Sequence, residues 1–297
     1  MVYDCFTFFN EFELLELRLH ELEKVVDKFV LVESNKTHSN LPKPLYFSEN
    51  KSKYSEFLDR IIHIVVDDMP LGDKPRDHWK RERFQRNAIS RGLKGCRPQD
   101  IVMISDIDEI PNADTVERFC ENFAVSNGIF SDLPHTILNA HITRFFLRPF
   151  RRKLRKRHPY VWKLEQYLCA LYLNRRIKSE EWWYGTRIMH FQDLSYPEEM
   201  RHSGYKIIRN GGWHFSYMGD ASRIKTKITA TPHQEINNPK SIESILNHAE
   251  MSRVLEDVEN GVVEILPISE LPKFVQDHPE KFSSWIIDTS HIASDKI

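Results

Sequence analysis

Hydrophobic positions in the first hundred residues alternate between the period of a strand and the period of a helix. Aromatic and β-branched side chains fill residues 2–9, and leucine and valine side chains then recur at helical spacing from Leu15 to Val26. The apolar run at 29–32 is typical of a strand buried in a parallel sheet. The pattern predicts a βαβ unit, and with it an α/β fold with a mostly parallel central sheet flanked by helices.

The later pattern is less regular. Strands are predicted at 61–66 and 101–105, with a helix from about Asp77 to Leu93 between them. The remaining predicted elements are strands at 136–147, 187–192 and 207–217, the last broken by its two glycines, a helix at 241–260 and a helical stretch at 271–287. We therefore expect an α/β region followed by a helical C-terminal tail.

Composition and charge exclude several classes of protein. The 42 Lys and Arg residues balance 43 Asp and Glu residues, so a globally basic nucleic-acid-binding protein is excluded. No apolar run approaches the ~20 residues of a transmembrane helix, and no signal-peptide pattern is visible. The four scattered cysteines indicate reduced thiols. We expect a cytoplasmic protein that is at most peripheral to a membrane.

Two phosphate-binding motifs are absent from the sequence. The turn after the first strand, Phe9 to Phe12, contains no glycine, although a dinucleotide-binding fold needs one there for the backbone to approach a pyrophosphate. The P-loop pattern does not occur either. We therefore expect no Rossmann cofactor, and P-loop chemistry is excluded.

Two aspartates follow the strand predicted at 101–105. Because side chains alternate across a strand, Asp106 and Asp108 emerge on one face, at the edge where open α/β sheets bind ligands. Paired carboxylates at that edge can hold Mg²⁺ or Mn²⁺ while the cation grips the diphosphate of a sugar nucleotide. The alternative is that the acid near Pro111 serves the start of the next helix.

Five blocks of sequence occur in order between Phe6 and Glu235. They are Phe8-Phe9-Asn10-Glu11, Phe29-Val30-Leu31-Val32-Glu33-Ser34 with Thr37-His38, Arg83 to Asn87, Asp106-Ile107-Asp108-Glu109-Ile110-Pro111 and Gly212-Trp213-His214-Phe215-Ser216. Together these blocks resemble glycosyltransferase family 17, a family of N-acetylglucosaminyltransferases.

The resemblance implies a fold and an activity. It implies a GT-A type fold, UDP-N-acetylglucosamine as donor, dependence on Mn²⁺ or Mg²⁺, and inversion at the anomeric carbon during transfer to an oligosaccharide or polysaccharide acceptor. We accordingly expect a catalytic domain at 1–240, with a nucleotide-sugar-binding half at 1–115 and an acceptor half at 116–240, and a helical extension at 241–297 packed on it. A metal-dependent phosphohydrolase and a non-catalytic nucleotide-sugar-binding protein of the same fold are the alternatives.

The last block adds a histidine to the expected donor site. Strand alternation sends Trp213 and His214 to opposite sides, so the indole packs while the imidazole faces the site. His214 is a candidate third metal ligand, beside Asp106 and Asp108, or a diphosphate contact. A structural histidine is the alternative. We place both Trp213 and His214 in the donor-binding set.

Other donor contacts are expected from the helix after the third strand and from two strand ends. Arg83 and Arg86 share a helix face and could converge on one anion, or form surface salt bridges, and Asn87 follows them. Glu33 closes the second strand and is a candidate to bind the ribose or uracil. Asn10 lies at the analogous point of the first strand.

The catalytic base is the least constrained residue. An inverting transfer needs one group to take the proton of the acceptor hydroxyl. Glu235, in a polar loop after the His214 strand, is the first candidate, and Asp193 is the second. Either residue could instead cap a helix.

A basic run without any acid lies between Arg144 and His158. Such a run is most often a solvated loop, but it also suits contact with an anionic membrane or a lipid-linked acceptor. The residues proposed for this contact are Arg144, Arg148, Arg151, Arg152 and Lys153.

Overall fold

The computed structural model describes residues 1–72, 74–127, 160–179, 182–204 and 206–288. Strands in this part of the chain form one sheet. They are β1 (Val2–Thr7), β2 (Lys28–Ser34), β3 (Ile61–Val66), β4 (Ile101–Asp106), β5 (Glu109–Pro111), β6 (Val161–Ala170), β7 (Arg175–Ile177), β8 (Arg187–His190), β9 (Lys206–Ser216) and β10 (Val263–Ile265). The helices are α1 (Phe12–Leu22), α2 (Tyr46–Asn50), α3 (Pro75–Asn87), α4 (Ala113–Asn127), α5 (Pro197–Arg201), α6 (Ala221–Ala230), α7 (Pro239–Asn247), α8 (Met251–Glu259) and α9 (Lys273–Asp277).

The sheet is mixed, which corrects the prediction of a mostly parallel sheet. Its strand order is β10-β7-β6-β8-β4-β1-β2-β3, and β9 pairs with β5 and β6. Strands β1 to β4 pair in parallel because long crossover connections join them. The link at 171–174 between β6 and β7 is too short for a crossover, so those strands are antiparallel, and β8 is antiparallel to both β4 and β6. The α/β class is confirmed.

Strand β9 spans both glycines, and the predicted interruption is present as a shift in its register with β6 between Ile208 and Gly212. Gly212 has a φ of +129°, and a Cβ atom there would lie 2.1 Å from the carbonyl oxygen of Ile110 on β5. Glycine therefore permits β9 to approach the turn that follows β4. The β9 partner β6 escapes prediction, since Lys163, Glu165 and Gln166 obscure its period.

The helix predicted at 241–260 is two helices. Asn238 caps α7 by accepting a hydrogen bond from the Ser241 amide at 2.9 Å. Between α7 and α8, the Tyr172 hydroxyl donates a 2.8 Å hydrogen bond to the Ala249 carbonyl and fixes the turn. The stretch predicted at 271–287 contains α9 and a 3₁₀ segment, Pro279–Trp285. The strand predicted at 136–147 lies outside the described residues.

Apolar side chains cover both faces of the sheet. Phe6 on β1 packs into the cluster formed with the leucines of α1, whereas its neighbour Cys5 packs into the cluster that contains Ile89, after α3. The four cysteines are free thiols, as expected. In the described ranges, no helix combines the length and the apolar character that a bilayer span requires. The expected cytoplasmic location stays a prediction.

A buried arginine on α1 supports the turn between β4 and β5. The Arg18 side chain is fully buried and forms an ion pair with Asp4 of β1, with two nitrogen–oxygen distances of 2.7 Å. Its Nη1 atom donates to the carbonyl oxygens of Asp106 at 2.8 Å and Glu109 at 3.0 Å. Arg18 therefore holds the backbone of the turn that carries the two aspartates.

We expect Arg18→Met to lower the free energy of unfolding by about 3–5 kcal/mol, because it leaves the buried Asp4 carboxylate without its cation. The matched control is Arg91→Met, whose pair with Asp68 is exposed and should contribute less than about 1 kcal/mol. Urea denaturation of both variants measures the difference. Equal losses would contradict a supporting role for Arg18.

Candidate active site

A cavity of about 1160 Å³ opens at the carboxyl ends of the parallel strands. Thr7 at the end of β1, Asp106 at the end of β4 and Ser216 at the end of β9 line this cavity, and α3 contributes Arg86. Ligand sites of open α/β sheets lie at this edge. The cavity thus coincides with the position at which the strand pattern predicts a ligand site.

Two arginines hold the first aspartate. Arg86 donates from Nη2 to Oδ1 of Asp106 at 3.0 Å, and Arg201 on α5 donates from Nη2 to Oδ2 at 2.9 Å. Burial alone would raise the pKa of Asp106, but the two guanidinium groups outweigh burial and hold that pKa well below its usual range. Asp106 is therefore an ionised carboxylate with both oxygens engaged.

Glu109 completes the turn as a buried anchor. Its carboxylate accepts hydrogen bonds from the Asp106 amide at 2.9 Å, from the Trp183 indole at 2.7 Å and from Arg201 Nη2 at 2.6 Å. The Glu109 carboxylate lies so close to Gly185 that a Cβ atom there would be 2.0 Å from Oε1. The last residue of the Asp106–Glu109 turn thus has a structural task.

The second aspartate faces a lysine and a histidine. Oδ2 of Asp108 accepts from Lys227 Nζ of α6 at 2.7 Å and lies 3.7 Å from His214 Nε2. Burial alone would raise the pKa of Asp108, but the charges of Lys227 and His214 hold it well below its usual range. The His214 ring lies 4.3 Å from the Trp183 ring, and its buried Nδ1 atom has no hydrogen-bond partner among the described residues.

Asp108 and His214 fit a divalent cation as a pair of protein ligands. Oδ2 of Asp108 and Nε2 of His214 lie 3.7 Å apart and would both hold such a cation, in place of the Lys227 ammonium that lies 2.7 Å from the same Oδ2. Both oxygens of Asp106 already accept guanidinium hydrogen bonds. Within the described ranges, no group of three or more His, Cys, Asp or Glu side chains is arranged to hold a metal. A cation held here would take further oxygen ligands from a substrate or water.

Residues 1–129 match the family model described as Glycosyltransferase family 17. The resemblance to this family is confirmed. The chain is 35% identical over 113 residues to the human and rat proteins named Beta-1,4-mannosyl-glycoprotein 4-beta-N-acetylglucosaminyltransferase, and 34% identical to the mouse protein of that name. Each match covers 36% of this chain and 21% of the relative. The family match contains the Asp106–Glu109 turn but not the β9 block with His214.

The predicted donor residues of α3 have different surroundings. Arg86 lines the cavity, whereas Arg83 is exposed at its rim and donates from Nε to the Trp79 carbonyl of its own helix at 3.2 Å. The Asn87 side chain accepts a 3.0 Å hydrogen bond from the Glu198 amide, and this bond connects α3 to α5. Their roles in donor binding stay predictions.

The two predicted strand-end residues are engaged in local structure. Glu33 is fully buried. Its carboxylate accepts hydrogen bonds from the Phe47 and Ser48 amides, each at 3.0 Å, at the start of α2. Asn10 accepts the Phe12 amide at 3.0 Å through its carbonyl oxygen, at the start of α1. The structure does not bring Glu33 to the residues that line the cavity.

Neither candidate base lies beside the two aspartates. Glu235 is exposed at the rim and forms a 2.6 Å hydrogen bond with His233, which lowers the pKa of Glu235. Asp193 follows β8, and His190 at the end of that strand pairs with Ile101 at the start of β4. Asp193 therefore lies near the amino end of β4. That end is roughly 17 Å from Asp106, which lies at the carboxyl end of the same strand.

The basic run, including Arg144, Arg148, Arg151, Arg152 and Lys153, lies outside the described residues. Its contact with a membrane or acceptor stays a prediction. Among the residues described, the sequence pattern missed Arg201 and Lys227, the cavity cations that contact Asp106 and Asp108. Arg201 lies on α5 and Lys227 on α6, two helices that the hydrophobic pattern did not predict.

Strand alternation places Trp213 and His214 as expected. Trp213 is buried in the core and donates from its indole to the Glu270 carbonyl at 2.9 Å, whereas His214 lines the cavity. The indole therefore contributes to packing on the side of β9 opposite the cavity.

We expect Trp213→Ala to lower the free energy of unfolding by about 3–5 kcal/mol, because it removes a packed aromatic ring and leaves a void. His214→Ala should lower the free energy of unfolding clearly less, since the ring lines the cavity and its Nδ1 atom makes no hydrogen bond within the described residues. Urea denaturation of the two variants compares the losses. A larger loss for His214→Ala would contradict the assigned sides of β9.

Proposed function

We propose that this chain is a glycosyltransferase that moves N-acetylglucosamine from UDP-N-acetylglucosamine onto a hydroxyl of a glycan, with inversion at the anomeric carbon. The observation that carries the proposal is the Asp106–Glu109 turn at the carboxyl edge of the sheet, inside the segment that matches glycosyltransferase family 17. The names of the relatives support N-acetylglucosamine as the sugar. The alternation of β1 to β4 with crossover connections is consistent with a GT-A type fold.

The cations of the cavity suit a nucleoside diphosphate. Arg86, Arg201 and Lys227 converge on the edge at which the two aspartates emerge, and the bidentate geometry of guanidinium groups matches phosphate oxygens. A divalent cation, Mn²⁺ or Mg²⁺, held by Asp108, His214 and the diphosphate would neutralise charge on the leaving group. The chain's own cations share that task.

Lys227 has the most direct access to a diphosphate. Its ammonium lies 2.7 Å from Asp108 and 3.9 Å from Glu11, and these two carboxylates raise the pKa of Lys227 above its ordinary range against the effect of burial. The lysine therefore keeps its proton and its charge. An ammonium held on α6 between two carboxylates can turn toward a phosphate oxygen without a change in the fold.

Transfer is tested by measuring UDP release with Mn²⁺ from a panel of sugar nucleotides and glycan acceptors. We expect release with UDP-N-acetylglucosamine, and an Asp108→Asn variant that loses at least ~100-fold in turnover and in Mn²⁺-dependent UDP affinity, measured by calorimetric titration. Asp68→Asn, at an exposed aspartate, is the matched control. An Asp108→Asn enzyme with unchanged UDP affinity and turnover would refute the assigned donor site.

For Lys227→Met we expect UDP affinity to fall about tenfold or more, because the substitution removes a cation that faces the diphosphate. Lys225→Met, at an exposed position of the same helix, should leave the affinity unchanged. Calorimetric titration of UDP compares the variants, and circular dichroism checks their folding. Equal affinities would remove Lys227 from the donor site.

A further inference from the structure

The cavity extends beyond the donor edge into a lobe beneath α7 and α8. Leu168 on β6, Arg175 on β7, His248 just after α7 and Asp257 on α8 line this lobe. Leu168 pairs with His214 across β6 and β9, and β7 lies on the other side of β6. At a strand spacing of about 4.8 Å, the wall formed by β7 is roughly 10 Å from the His214 strand. The lobe therefore adjoins the donor edge within the same cavity.

A histidine–aspartate pair lies in this lobe. The Nδ1 atom of His248 forms a 2.9 Å hydrogen bond with Oδ2 of Asp257. Asp257 is almost fully buried and also accepts from Arg175 Nη2 at 2.7 Å and contacts Arg253 Nε at 3.3 Å. These partners fix the carboxylate, and the carboxylate fixes the orientation of the His248 ring through Nδ1, so that Nε2 is the ring nitrogen left for a ligand.

The turn that carries His248 is itself held in place. His248 follows the last residue of α7, and the Tyr172 hydroxyl binds the carbonyl of the next residue, Ala249, at 2.8 Å. The side chain of His248 keeps 38% of its surface exposed, whereas Asp257 keeps 2%. The imidazole is thus oriented from behind by a buried carboxylate and remains open to a ligand in front.

Most carboxylates on the donor side are held by cations. Glu82, Asp106, Asp108, Glu109 and Glu198 each accept a hydrogen bond from an arginine or lysine, whereas Glu11 accepts the hydrogen bonds of two backbone amides and Glu199 that of the Ser195 hydroxyl. A carboxylate held by a cation is a weak base, because the cation stabilises its ionised form. The His248 imidazole lines the same cavity and is held by a carboxylate rather than by a cation.

We infer that His248, oriented by Asp257, is the general base of the transfer, an inference that rests on the proposed function. Nε2 of His248 takes the proton of the acceptor hydroxyl while the hydroxyl oxygen forms a bond to the anomeric carbon. The bond between that carbon and the diphosphate oxygen breaks, and its electron pair leaves with the nucleoside diphosphate. The proton on the imidazolium then passes to solvent.

The test compares His248→Gln with the wild type in three measurements. We expect turnover to fall about 10² to 10⁴-fold, while UDP and donor affinities, measured by calorimetry, stay within twofold. If His248 is the base, a fall of kcat/KM toward acid pH in the wild type should be absent in the variant. Added imidazole should restore part of the activity of His248→Ala.

A matched control and a second variant keep the inference falsifiable. His278→Gln, at a histidine outside the cavity that faces Glu280 at 3.7 Å, should leave turnover unchanged. Asp257→Asn should lower turnover by misorienting the ring, and its melting temperature shows whether the loss of a partner for Arg175 also unfolds it. If His248→Gln keeps wild-type turnover and pH profile, His248 is not the base, although the proposed function stands. If wild-type protein releases UDP from no sugar nucleotide, both proposals fail.

Discussion

The guanidinium group of Arg18 lies under the turn between β4 and β5 and bonds both to Asp4 and to the carbonyl oxygens of that turn. A buried charge is tolerated only when it is paired and its hydrogen bonds are satisfied. Arg18 meets this condition only if β1, α1 and the Asp106–Glu109 turn keep their mutual positions. The directions of the two aspartates toward the cavity therefore depend on an interaction on the far side of the backbone from any ligand.

The same pairing of charges recurs within the cavity. Arg86, Arg201 and Lys227 each contact at least one carboxylate, so the edge is nearly neutral locally although it is rich in ions. A simple anion gains little from such an edge, because it must compete with carboxylates already in place. On the proposed function, a diphosphate that arrives with a divalent cation brings both signs of charge and fits the arrangement better than phosphate alone. The cavity would therefore select a diphosphate bound to a divalent cation over a simple anion.

The sequence predicted what depends on local pattern. The strand at 61–66 has the expected bounds, the two aspartates follow β4, and Trp213 and His214 lie on opposite sides of β9. The strands β6, β7 and β10 were missed because their periods are short or interrupted by polar residues, and because distant partners stabilise them. Arg18 did leave a signal, since a charged residue within the leucine face of α1 needs an acid such as Asp4 nearby. Arg201 left none, because its partners are near it in space and far from it in sequence.

Strand β7 pairs with two strands that are far apart in the sequence, β6 and β10. It meets β6 at the Cys169–Arg176 pair, while β10 pairs along its other edge from Val263 to Ile265. The adjoining Asn174 side chain also exchanges hydrogen bonds with the Ile287 backbone. During synthesis, β1 to β4 can assemble as soon as they are made, whereas the edge of β7 stays unpaired until residues almost a hundred positions later emerge. An unpaired edge invites pairing with other chains, so this delay leaves β7 open to such pairing until β10 is made.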